Sequence, residues 1–201
     1  SVSGGESAAN AGGEVSVIGG SSGSVGGNVF VRGGSSTSMS TGGNVELLSG
    51  ASGSGRSGSV KIGSSSGSSS DFVQISTGDA KQGSSGDLTL SVGSSSDSFT
   101  GGVLSLLSGS GSAGSDVSIA AGHGASLNGG SVSIVSGESA AQSTGDVTLK
   151  SADGSFGSGM LTIASGKSAT GSGSLFVSSG DSESGEAGSV SIAGGVGNAM
   201  L

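Results

Sequence analysis

The chain has no cysteine, no proline, no tryptophan and no tyrosine among its 201 residues, and charged side chains make up only 10% of it. Each absence removes a class of protein. Without cysteine there is no disulfide framework, and nothing about the redox compartment follows from thiol usage. The six basic residues, Arg32, Arg56, Lys61, Lys81, Lys150 and Lys167, are scattered, so no cationic footprint for nucleic acid or anionic lipid exists. A net charge of −8 favours solubility and repels polyanions. No apolar run approaches the roughly 18 residues of a membrane span, and the first residues lack the charged and apolar regions of a signal peptide. The missing proline also counts against a flexible linker or tail, which usually carries it.

Glycine and serine together make up half of the chain, a composition that without a period reads as linker. Here there is a period. An aliphatic pair two residues apart, as in Gly145-Asp146-Val147-Thr148-Leu149, recurs thirteen times at intervals of 13 to 16 residues. Its first members are Val15, Val29, Val45, Val60, Val73, Leu88, Leu104, Val117, Val132, Val147, Leu161, Leu175 and Val190. The second members, from Val17 to Ile192, are all Val, Leu or Ile, and the mean hydropathy of +0.15 is high for a solvated tail. A fixed period over the whole length marks a repeat architecture.

Residues i and i+2 of an extended segment share a face, and no repeat supplies the i, i+3, i+4, i+7 pattern of a helix. Glycine stands two residues before the first aliphatic in every repeat except at Asp71 and Ser115. It stands three residues after the second in every repeat except at Ser65 and Ala152. Glycine at a corner supplies positive φ and close approach, so each repeat reads as a strand between two corners. The remaining residues form a thin return leg with an occasional Val25, Met39, Phe99, Leu127 or Phe156. The expected fold is therefore all-β: a flattened two-sheet parallel β-solenoid, or β-helix, of about 13 coils of about 14–15 residues rising about 4.8 Å each. Its expected hand is right, the commoner crossover sense. Residues 1–201 form one array. The chain opens on Ser part-way through a strand and reaches Met200 before another pair is due, which suggests a segment of a longer array or a protomer that stacks end to end.

Enzyme signatures are lacking, so no catalytic, cofactor-binding or metal residue is assigned and no cofactor is required. The single histidine, His123, has no second His, Cys or carboxylate cluster beside it and reads as a solvated turn residue. No serine stands in a Gly-x-Ser-x-Gly elbow with acid and base partners, and the Gly-rich stretches open no helix. Asp87, Asp116 and Asp146 share one column with Glu14, while Asp79, Glu138, Asp153 and Asp181 share another; stacked carboxylates could hold calcium, but interruptions make solvated surface charge the better reading. The residue between the two aliphatics is a hydroxyl in six consecutive repeats, Thr89, Ser105, Ser118, Ser133, Thr148 and Thr162. These six are the candidate surface.

That file resembles the flat arrays of short-coil antifreeze solenoids, without their paired Thr-x-Thr ladder and cysteine staples. More broadly, the Gly-Asp-Val-Thr-Leu unit followed by a Ser/Gly turn resembles the repeats of extracellular β-solenoid adhesins and repetitive surface proteins. The resemblance implies a structural or adhesive rod, filament or spacer at the cell surface or outside the cell. Its partner would be another copy of itself, end to end or laterally; the alternative is a surface such as ice or polysaccharide. Neither nucleic acid nor membrane insertion is expected.

Overall fold

The computed structural model of the chain describes residues 1–8, 10–38, 40–96 and 99–197. Met39 and Met200, expected on the return leg, lie outside the described residues.

No helix and no strand occurs among the described residues. This overturns the β-solenoid, the parallel β-helix and the two-sheet wall. A solenoid needs each extended segment to bond to the segment one coil away, but all eight backbone hydrogen bonds among the described residues close over nine residues or fewer. The aliphatic columns are not buried. First members are 46–60% exposed and second members 61–93% exposed, and no residue among those described belongs to a core. The accessible surface is 19917 Å². A folded monomer of 18.2 kDa would present about 8,100 Å² and an extended chain about 26,000 Å².

What the repeat builds, in seven of its thirteen copies, is a closed loop. The chain divides into two units, Ser1–Leu104 and Ser105–Leu201. Within the first, the N–H of Gly13 donates to the carbonyl of Gly5 at 2.7 Å, Gly27 to Gly20 at 2.7 Å, Gly43 to Gly34 at 2.8 Å and Gly58 to Gly50 at 2.9 Å. Within the second, Ser115 donates to Gly109 at 3.3 Å, Gly130 to Gly122 at 2.9 Å and Gly145 to Gly137 at 3.1 Å. Donor and acceptor are the two punctuation columns of the sequence, joined across the Ser/Gly stretch between one aliphatic pair and the next. Among the described residues the chain bends sharply only inside these stretches, as at Gly23–Val25, Gly53–Gly55 and Ala140–Gln142.

The corners are glycine for close approach and not for positive φ. Among the described residues only Gly83, at the end of the bend Lys81-Gln82-Gly83, has a positive φ, of 102°, and it belongs to neither column. At the necks, by contrast, backbones touch. A Cβ on Gly27 would lie 2.9 Å from the Gly20 nitrogen, and one on Gly13 would lie 2.7 Å from the Gly5 nitrogen. In some repeats the residue two places after the second aliphatic carries a side chain that faces the neck glycine instead: Ser49 Cβ stands 3.2 Å from the position a Gly58 Cβ would take, and Ala121 Cβ 3.3 Å from that of Gly130.

One length is invariant. From the donor column to the next acceptor column is always seven residues, as from 13 to 20, 86 to 93 and 188 to 195, while the loops span six to nine. All of the variation in repeat length therefore falls in the loops. The loops close locally because joining ends about eight residues apart costs less closure entropy than pairing segments about 15 apart, and burying two aliphatics per repeat, worth about 3–6 kcal/mol, does not offset the roughly 20 kcal/mol that ordering a whole 15-residue coil costs.

Candidate functional site

Seven of the loops have their own acceptor for N–H groups that the bend leaves without partners. A serine two residues after the acceptor glycine turns its Oγ inward along the loop. Ser7 Oγ accepts from Asn10 N–H at 3.0 Å, Ser52 from Gly55 at 2.8 Å and Ser182 from Gly185 at 3.0 Å. Ser139 Oγ takes two donors, Ala141 at 3.4 Å and Gln142 at 2.9 Å, and Ser168 takes Thr170 at 3.3 Å and Gly171 at 3.4 Å. Ser22 and Ser36 do the same for Ser24 and Ser38. These are serine turns, in which a hydroxyl replaces a backbone acceptor. The periodicity of large apolar residues draws attention away from this column. The signal that could have found it is a Gly-x-Ser that recurs in most repeats, as in Gly5-Glu6-Ser7, Gly50-Ala51-Ser52, Gly137-Glu138-Ser139, Gly166-Lys167-Ser168 and Gly180-Asp181-Ser182.

Six loops lack this serine acceptor among the described residues, and two of them find another arrangement. Asp71 replaces the donor glycine and takes the N–H of Phe72 on its own Oδ1 at 2.8 Å. Ser95, in the serine column, donates across its loop to the carbonyl of Thr100 at 3.0 Å.

The candidate hydroxyls are exposed. Thr89 lies in the first unit; Ser105, Ser118, Ser133, Thr148 and Thr162 lie in the second, each between its own two aliphatics. No ladder hydrogen bond joins one such segment to the next among the described residues, so no strand spacing sets the distance between them. Asp87, Asp116, Asp146, Glu14, Asp79, Glu138, Asp153 and Asp181 are exposed as well, and no three His, Cys, Asp or Glu side chains converge among the described residues. His123 is exposed, next to the neck acceptor Gly122. No cavity is present among the described residues.

The surface that the chain does offer is the aliphatic segment itself. Both members of every pair are exposed, and apart from the Phe72 N–H held by Asp71 the backbone between the necks bonds to nothing among the described residues. No helix of the described residues is long and apolar enough to cross a membrane. No protein-family model, curated protein sequence or solved structure matches this chain.

Proposed function

We propose that the chain is a structural, adhesive repeat segment of an extracellular or cell-surface protein, one that spaces and joins molecules and does not transform a substrate. The observation that carries the reading is the exposure of both aliphatic columns through thirteen repeats of constant segment length. Short extended segments with unpaired N–H and C=O groups and an apolar face are the usual substrate of strand pairing between chains. The favoured partner is a second copy of the chain, whose segments have the same length and the same aliphatic spacing. A scattered, mostly acidic charge and a single histidine give no support to catalysis.

Sedimentation velocity over a range of concentrations tests this reading. The expected result is a mass that grows with concentration; a single monomeric species throughout would overturn it. The competing reading, binding of ice or polysaccharide through Thr89, Ser105, Ser118, Ser133, Thr148 and Thr162, lacks a ladder to space the hydroxyls. Ice grown in dilute protein should form round discs, and faceted crystals would favour that competitor.

A further inference from the structure

Asn128 is followed by Gly129, whereas Asn10 precedes Ala11, and Asn28 and Asn44 precede Val29 and Val45. An asparagine amide is open to attack by the backbone nitrogen of the next residue, and a following glycine has no Cβ to obstruct the approach and turns freely into it. A β-branched valine hinders both.

The loop leaves this step exposed and without hydrogen bonds of its own among the described residues. Asn128 and Gly129 are exposed. Among the described residues neither the Asn128 side-chain amide nor the Gly129 N–H takes part in a hydrogen bond, while the next donor, Gly130, is held to Gly122 at 2.9 Å. The main-chain carbonyl of Asn128 is seated over Gly124, where a Cβ would fall 2.8 Å from the carbonyl carbon. The Gly130 bond thus holds the chain on one side of the step, while the Asn128 amide and the Gly129 N–H carry no bond among the described residues.

We propose that Asn128 is a self-modification site whose only co-reactant is water. The Gly129 nitrogen loses its proton and bonds to Cγ of Asn128. The Cγ–Nδ2 bond breaks, and Nδ2 leaves as ammonia carrying that proton, which closes a five-membered imide. Water then opens the imide at one of its two carbonyls, giving aspartate or isoaspartate. Both products add a negative charge to the loop. Isoaspartate also inserts Cβ into the main chain two residues before the Gly130 donor, which lengthens one side of a loop closed by a single backbone bond. Asp153-Gly154 has the same following glycine, but an ionised carboxylate is a poor electrophile, so it reacts more slowly.

The experiment is a time course of the intact chain in mildly alkaline buffer, read by peptide mass mapping and by enzymatic methyl transfer specific for isoaspartate. The peptide holding Asn128 should gain the mass of an amide-to-acid exchange and become methylatable, while Asn28 and Asn44 stay unchanged. Gly129→Ala should slow the conversion at least about tenfold, equivalent to about 1.4 kcal/mol in barrier. The added methyl would stand 3.5 Å from the Gly122 oxygen, an ordinary contact, so the loop is retained, and an unchanged Gly130 amide exchange rate checks this. Conversion of Asn128 no faster than that of Asn28 and Asn44, or a Gly129→Ala rate equal to the parent rate in a retained loop, would overturn the proposal.

Discussion

Gly19 lies directly beneath the carbonyl of Gly27, so close that a Cβ built on Gly19 would fall 2.9 Å from the carbonyl carbon and nearer still to the oxygen. The same carbonyl belongs to the residue whose N–H closes the loop on Gly20. Gly4 under Gly13 and Gly33 under Gly43 repeat the arrangement, and these three glycines are among the few residues that are not fully exposed. The neighbouring Gly20, by contrast, has open space where a Cβ would go.

The pair separates two roles for glycine. Gly19→Ala should push the Gly27 carbonyl off its seat and loosen the neck, because this loop lacks the arrangement in which Ser49 and Ala121 set a side chain beside the neck glycine, while Gly20→Ala should leave it intact. A neutral backbone hydrogen bond contributes about 1 kcal/mol net, so amide exchange at Gly27 should accelerate about fivefold in the first variant and stay near the parent rate in the second. Equal rates in both variants would mean that the close approach is not what closes the loop.

The serine column has its own signature. Ser139→Ala removes the only acceptor of both Ala141 and Gln142 among the described residues. The Gln142 amide should exchange several-fold faster, in line with the roughly 0.5–1 kcal/mol that such a side-chain acceptor contributes. Ser139→Thr keeps the hydroxyl and should restore most of the protection. A Thr variant that behaves like Ala would place the effect in the backbone and not in Oγ.

How much of this was legible in the sequence can be judged from particular residues. Gly13, Gly27, Gly43, Gly58, Gly130 and Gly145 were identified as punctuation, and they are the neck donors; Gly5, Gly20, Gly34, Gly50, Gly109, Gly122 and Gly137 are the acceptors. The columns were right and the geometry assigned to them was wrong. Period-two aliphatics state which side chains share a face, but they carry no information about whether a partner segment lies opposite. Val132 and Ile134 would look the same in a solenoid wall and in an unpaired segment. The choice falls to the Ser/Gly stretch, whose own glycines and hydroxyls satisfy its polar groups locally. The Gly-x-Ser of Gly137-Glu138-Ser139 was visible, but a small polar residue in a serine-rich chain does not stand out. The hydroxyl row from Thr89 to Thr162 was legible as a column, and its regular spacing depended on a sheet that is absent among the described residues.

Insertions should be tolerated unequally. One added serine between Ala140 and Ala141 lengthens a loop whose ends are joined by the Gly145 to Gly137 bond. The logarithmic dependence of closure on length makes that cost only about 0.1 kcal/mol. Gly145 protection should therefore hardly change. An added serine between Ser133 and Ile134 also spares the neck but turns Val132 and Ile134 to opposite faces. It should weaken concentration-dependent association while leaving Gly145 exchange alone; loss of protection at Gly145 in this variant would show that segment and loop are not independent.

Val132 provides the sharpest contrast between the expected sheet and the structure. In a buried ladder, Val132→Asp would place an unpaired charge in an apolar wall, and a change at Ser133 would cost far less. Val132 is instead 55% exposed. In dilute solution, where the chain is alone, Val132→Asp and Ser133→Asp should both leave amide exchange at Gly130 and Gly145 within about twofold of the parent, the usual range for exposed substitutions. At high concentration the two should part, because pairing with a second copy buries the aliphatic face and would have to bury the new carboxylate with it. Val132→Asp should then raise the concentration needed for association several-fold, and Ser133→Asp should raise it far less. Exchange measured at low and high concentration on the same samples separates the outcomes: a large effect of Val132→Asp in dilute solution means that a core exists within one chain, and no effect at either concentration means that the aliphatic columns are not where copies meet.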